Sequence, residues 1–372
     1  MIVIKIGSAV LADAAGLNLQ VLNSLARQII AVRAHLPGRR IVVVSSGAVA
    51  AGKSAMGASG CGPGLQPDQT AKQALAAIGQ ARLMHAWSEA IQPVLAAQAL
   101  LTRADFKSRE RFQHAADTFA QMLAWQVLPI VNENDTVAVH ELKFGDNDTL
   151  ASLLVNLLHA DLFINLTSAP GVFADNPQLN PDAAILPVIE NIAELDITRM
   201  CGAKTASGSG GMHSKLLAAR RVAQLGVPTL ILPGRKPDVL LAAFGLKAEP
   251  ETSGTFIAAG AARIPRRKFW LAYQSEPEGS VEIDSGAADA LQNRGASLLP
   301  GGILAVTGEF AKGALVRILS AGQVLGLGFT NYDSAQLKRI QGLKRHEIAA
   351  ILGEPRYPDA IHRDNLLLDA AI

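Results

Sequence analysis

Hydrophobic positions in the first two-thirds of the chain alternate between two spacings. Ile2 to Ile6 and Ile41 to Val44 are short, nearly unbroken apolar runs. Val94 to Leu101, Val127 to Val131, Asp161 to Leu166 and Pro228 to Leu232 are further runs of the same kind. Each predicts a strand that is covered on both faces. Between them the spacing lengthens. Leu19, Leu22, Leu25, Ile29 and Val32 share one side of a helix over Asn18 to His35. Thr70 to Gln92, Ser108 to Gln126, Leu150 to Leu158 and Gly211 to Leu225 also read as helices. This alternation predicts an α/β fold, a three-layer sandwich around a mostly parallel central sheet.

The pattern changes near Ala258. AAGAARIPRRKFW is first small and then basic, and reads as a linker. Beyond Ser280 come short β-rich runs broken by glycine pairs, which predict a small β-barrel-like domain with a helix or two. The expected division is residues 1–258, a linker at 259–277, and a second domain at 278–372.

Composition narrows the picture a little. Hydrophobic residues make up 49% of the 372, ample for two cores, and the net charge of +2 does not announce a nucleic-acid binder. Cys61 and Cys201 offer neither a disulfide framework nor zinc-ligand spacing. MIVIKIGSAVL lacks the cation-first order of a signal peptide, and no apolar run approaches the roughly 18 residues of a membrane helix. A cytoplasmic protein with no membrane partner is the expectation.

Charge is unevenly distributed. VNENDTVAVHELKFGDND, residues 131–148, packs Glu133, Asp135, Glu141, Asp146 and Asp148 into a chain that is only 18% charged. A solvated loop tolerates such crowding; a site handling an amine, a cation or a phosphate needs it. Gly47 to Ser54 formally matches GxxxxGK[ST], but AVAA favours helix, and the glycines and proline lie after Ser54 instead of before the lysine. That order is inverted for a phosphate loop, so a helix from Gly47 to about Gly57 is expected.

Three other places suit an anion better. Lys5 ends an apolar strand just before Gly7 and Ser8; a lysine extending along apolar surface to water is the plain alternative. Val44 to Ala48 turns from strand to helix and would present free N–H groups; an ordinary serine cap is the plain alternative there. Ser207 to Lys215 is glycine-rich and opens a helix with a lysine in its first turn. A cation at that end of a helix is unfavourable unless an anion compensates it. In an open α/β sheet all three would meet the acidic segment at the carboxyl ends of the strands. Two lysines, backbone N–H groups and carboxylates together suit phosphoryl transfer, which depends chiefly on positioning and charge stabilisation.

IKIGSAVL, VVVSSGAVAAG, KQALAAIGQARL, LLTRADFKSRERF, LPIVNENDTVA, FGDND, GSGGMHSK, ASLLPGGILAVTGEF and AIHRDN run from end to end of the chain. On these motifs it resembles the bacterial glutamate 5-kinases, a branch of the amino acid kinase family that carries a C-terminal PUA domain. The resemblance implies transfer of phosphate from ATP to the γ-carboxylate of L-glutamate with Mg2+, the first step of proline synthesis. It further implies proline as feedback inhibitor; a homo-oligomer, a dimer or tetramer, is expected, and the reactivity of an acyl phosphate suggests a glutamyl phosphate reductase as partner. Lys5 and Lys215 would stabilise the transferring phosphoryl group, and Asp148 would hold them in place. Gly7 and Gly47 would lend backbone N–H groups. Ser46, Asp135 and Asn147 match the family's glutamate-binding positions. Thr167, Ser168, Ser209, Gly210, Gly211, Met212, His213, Ser214 and Lys215 would face ATP.

Three positions depart from the pattern. Ser168 stands where the family usually has Asp, Ser209 where it has Thr, and His213 where the residue is often small. These touch nucleotide affinity or choice and leave the reaction class intact. The PUA resemblance spans about Glu278 to Arg356, and an RNA partner is not expected, because no dense basic-aromatic surface accompanies the short Arg266–Lys268 cluster. The alternatives are another amino acid kinase, acting on acetylglutamate or carbamate, and a non-catalytic RNA-binding or regulatory protein.

Overall fold

The computed structural model describes residues 1–58, 68–138, 147–201, 211–247, 253–260, 263–266, 268–269, 273, 277–352 and 358–368. The chain forms two compact units, Met1–Arg263 and Ile264–Ile372.

The first unit is built on an eight-stranded sheet. Its spatial order is Val188–Ile189, Thr255–Ile257, Thr229–Pro233, Leu162–Thr167, Ile2–Ile6, Ile41–Ser45, Leu128–Glu133 and Ala96–Leu101. All pairings are parallel except that of Thr229–Pro233 with Thr255–Ile257. Ile2–Ile6 and Ile41–Ser45 are buried at every position, as strands covered on both faces must be. The six expected strands are present within a residue or two, but Ala96–Leu101, expected to be covered on both faces, lies at the sheet edge and exposes Gln98 and Leu100. The two short strands toward the opposite edge, Val188–Ile189 and Thr255–Ile257, were not expected; two or three residues show no period.

The helices begin where the sequence supplies caps. Asn18 accepts from the Val21 amide ahead of Leu19–His35, Asp68 from Ala71 ahead of Gln69–Ala90, and Ser108 from Arg111 ahead of Arg109–Ala124. Leu22, Leu25, Ile29 and Val32 of the first of these join the main core with Ile4, Ile6, Val43 and Ile164. Leu19, expected on the same side, is exposed, since it opens the first turn.

The second unit contains a five-stranded sheet ordered Ile303–Gly308, Gly279–Ile283, Leu315–Ser320, Gln323–Phe329 and Leu366–Leu368. Only Gly279–Ile283 with Leu315–Ser320 is parallel. Helices Ser285–Arg294, Ser334–Ile340 and Arg345–Leu352 accompany it, one more than expected. Its own core holds Val281, Leu291, Val316, Ile318, Leu337 and Ile361. Phe269, inside the expected linker, is fully buried, with its ring centroid 4.6 Å from that of Tyr273 and the two rings tilted by 53°.

Candidate active site

Parallel pairing places the carboxyl ends of five strands along one edge of the sheet: Ile6, Ser45, Glu133, Thr167 and Pro233. Helix Asn147–Leu157 packs over this region and puts Asp148 in its first turn, fully buried. Lys5 reaches the Asp148 Oδ1 atom at 2.5 Å from the central strand. Lys215 reaches Oδ2 at 3.2 Å from helix Met212–Gln224. Both lysines are themselves 3–4% exposed. Segments far apart in sequence thus bring two ammonium groups to opposite oxygens of one carboxylate, leaving the trio one net positive charge.

Burial alone would push the Asp148 carboxyl up. Lys5 and then Lys215, with hydrogen bonds from Lys5 and Ser214, outweigh it and hold the group at about 2. Asp148 is therefore ionised at neutral pH. Ser214 Oγ donates to Oδ2 at 2.7 Å and Asn165 Nδ2 to Oδ1 at 2.8 Å.

A second, uncharged network lies beside this trio. Asn147 Nδ2 donates to Ser46 Oγ at 2.8 Å and to Asn132 Oδ1 at 2.9 Å, and Asn132 Nδ2 donates to Gln80 Oε1 at 3.0 Å. Beneath it, buried Trp87 donates Nε1–H to Ser45 Oγ at 2.9 Å and so fixes the strand end that carries Ser46. Asp135 is half-buried just past the strand Leu128–Glu133. Thr167 is buried at the end of its strand, and Ser168, the next residue, is exposed. Gly211 caps helix Met212–Gln224 without a side chain, and Met212, His213 and Ser214 form its half-buried first turn.

The two glycines differ. Gly47 has φ +117° at the start of helix Ala48–Ala58, where its carbonyl accepts from the Ala51 amide. A side chain there would be strained, and first-turn amides of a helix have no intrahelical acceptor. The expectation for Gly7 needs correction. Its amide donates to the Leu166 carbonyl at 3.0 Å, extending the parallel ladder one residue past the strand, so it is not aimed at a ligand. A Cβ at Gly7 would stand 3.3 Å from the Leu166 carbonyl oxygen, a tight contact with backbone.

The formal phosphate-loop match is a continuous helix with Lys53 exposed on it. Its Gly52 serves close packing: an added Cβ would fall 1.9 Å from the Leu75 carbonyl oxygen. Ser209, Gly210, Glu141 and Asp146 lie outside the described residues. Asn165, Asn132 and Gln80 were not singled out from sequence. Asn132 lies within the quoted motif; Asn165 is signalled only by being polar inside an apolar strand.

A doubly covered parallel sheet with a lysine–aspartate–lysine trio at its carboxyl edge defines an α/β protein equipped to handle an anionic group. Comparison with known proteins gives the family. Residues 1–233 match the model of the amino acid kinase family, and residues 279–352 match that of the PUA domain. The chain is 56% identical to a glutamate 5-kinase from Nitratidesulfovibrio vulgaris, over 100% of this chain and 96% of that one. It is 54% identical to one from Oleidesulfovibrio alaskensis, with the same coverage. A third, from Thermus thermophilus, is 42% identical over 99% of this chain and 96% of its own. The chain belongs to the amino acid kinase family, in its glutamate 5-kinase branch with a C-terminal PUA domain. Among the described residues no helix is long and apolar enough to cross a membrane.

Proposed function

We propose that this chain transfers the γ-phosphoryl group of ATP to the γ-carboxylate of L-glutamate, releasing ADP and L-glutamyl 5-phosphate, the entry to proline synthesis. The observation that carries this reading is the pair of buried lysines fixed on Asp148. Phosphoryl transfer spreads negative charge over the migrating group, and two fixed ammonium groups stabilise that charge without reorganising. Asp148 offers them one counter-charge between two, so the trio keeps a net attraction for an anion. No general base is required, because a γ-carboxylate is already ionised at neutral pH.

Ser46, Asn147 and Asp135 form the acceptor side, with Asp135 opposite the α-ammonium group of glutamate. Thr167, Ser168 and the start of helix Met212–Gln224 form the nucleotide side, where free N–H groups suit phosphate. Ser168 supplies a hydroxyl and no carboxylate there. Mg2+ is a different matter. Among the described residues no cluster of three or more His, Cys, Asp or Glu could hold a metal ion. Asp148 already accepts from four donors. The described residues alone do not make a magnesium site, and no step here runs through one.

A free ammonium group on the acceptor distinguishes glutamate from acetylglutamate, and Asp135 favours the former. The test is ADP release with glutamate, with acetylglutamate and with no acceptor. Turnover dependent on glutamate is expected; equal turnover with acetylglutamate would overturn the assignment. An acyl phosphate is hydrolytically labile, so a reductase that consumes it promptly is the partner this chemistry calls for. Proline inhibition and a homo-oligomeric state complete the proposal.

A further inference from the structure

Strand Leu162–Thr167 is fully buried and apolar at Phe163, Ile164 and Leu166, yet Asn165 sits among them with no exposure at all. Burying an amide is costly unless it is well bonded. Only one end of this amide is bonded: among the described residues Oδ1 has no hydrogen-bond partner. An amide kept for stability alone would be better replaced by another apolar side chain.

The bonded end explains its presence. Asn165 is the register partner of Lys5 on the neighbouring strand. Its Nδ2 donates at 2.8 Å to the same Asp148 oxygen that Lys5 takes. The other oxygen accepts from Lys215 and from Ser214 Oγ. Each oxygen thus receives one ammonium and one neutral donor, which fills the roughly four acceptor positions of a carboxylate. Since Asp148 can only accept, the N–H end of the amide is the end that faces it.

We propose that Asn165 is a positioning residue for the phosphoryl transfer: its amide locks the Asp148 carboxylate so that Lys5 and Lys215 stay on opposite oxygens, and does so without altering the net charge of the trio. The role rests on the functional reading above. A third cation in this position would bury an uncompensated charge, and a carboxylate would cancel the net positive charge offered to the phosphoryl group. The other groups on elements packed against helix Asn147–Leu157 leave the position open to a neutral donor. Glu133 ends strand Leu128–Glu133, strand Ile41–Ser45 carries no charge, and Arg221 of helix Met212–Gln224 is engaged with Thr149 Oγ1 at 3.2 Å.

Two variants of the full chain test this. Asn165→Leu keeps the size and removes the donor. The expected result is kcat lower by roughly 10–100-fold, the size of effect that supporting partners have on reactive groups. KM for glutamate stays within about twofold, because the amide acts on the lysines and not on the acceptor side. The melting temperature stays equal or rises. Asn165→Asp keeps the shape but turns an acceptor toward Asp148 and adds a negative charge to the trio. Its kcat is expected to fall further than that of Asn165→Leu, with KM for glutamate again within about twofold. A folded Asn165→Leu protein with kcat within twofold of wild type would overturn the role. So would an Asn165→Asp protein with kcat within twofold of wild type, and this second measurement decides the matter if the leucine variant does not fold. Wild-type protein without glutamate-dependent turnover would sink the functional reading and this role with it; wild-type turnover with unaffected variants would sink this role alone.

Discussion

Asp148 shows how one side chain ties folding to chemistry. Its carboxylate is ionised because two buried lysines need it, and the lysines can be buried because it is there. Removing one member of such a buried cluster leaves charge uncompensated, which typically costs roughly 3–5 kcal/mol. Asp148→Asn is expected to lose about that much stability at pH 7 and to lower glutamate-dependent turnover by orders of magnitude, since the replacement amide turns a donor toward an ammonium or hydroxyl donor. The sign of the pH effect is fixed by the direction of the shift. The folded carboxyl is held down at about 2 against an ordinary value of 3.8. Its stabilising contribution is complete above the unfolded value and fades as pH falls toward the folded one. Urea unfolding of both proteins should therefore show a stability gap that is constant from pH 7 to about 5 and narrows from about 4 toward 2. A gap of constant width across that range would show that the carboxylate does not contribute in this way. The other acidic groups titrate in both proteins and cancel from the difference.

Helices Ala48–Ala58 and Gln69–Ala90 make the corresponding point about elements. They approach so closely that a Cβ on Gly79 would fall 1.9 Å from the Ala48 carbonyl oxygen and 2.4 Å from the Gly52 nitrogen. Both obstacles are backbone, so neither can swing aside. Gly79→Ala must push the helices apart, and overpacking of this kind costs about 1–3 kcal/mol or more. The displaced helix begins at Ala48, two residues after Ser46, so the movement carries into the proposed acceptor side. The expected outcome is a lowered melting temperature together with a raised KM for glutamate; an unchanged melting temperature would mean the contact is looser than described. The sequence revealed part of this. The order of helix formers and glycines around Lys53 was enough to reject a phosphate loop and foresee a helix. Helix starts near Asn18 and Ser108 were legible to within a residue, and the two lysines pointed to the end of the sheet where they meet on Asp148. The amide network was harder to read, because Gln80, Asn132 and Asn165 acquire meaning only through register and crossing, which bring residues 17 to 52 positions apart into bonding distance. Gly7 was misread because an amide beyond a strand end can serve the ladder or a ligand, and sequence does not distinguish the two. The two-residue and three-residue strands of the edge lack any period to detect.

The whole molecule divides its labour unevenly. Lys5, Ser46, Asn132, Asn147, Asp148, Asn165 and Lys215 all lie in Met1–Arg263, and so do the two hydrophobic clusters that support them. The second unit has a separate core, drawn from residues 281–366. Each unit therefore carries what a domain needs to fold by itself. Where the chain is cut matters, because the expected linker over 259–277 includes buried Phe269, which belongs to the second unit. A protein ending at Arg263 keeps the first unit whole and leaves Phe269 out of it. It is expected to unfold cooperatively and to retain glutamate-dependent turnover within about threefold, since domains with their own cores are independent to first order. Turnover lost from a truncated protein that still unfolds cooperatively would instead assign the PUA unit a part in building or holding the active site. That outcome would move the reactive geometry from a property of one unit to a property of the pair.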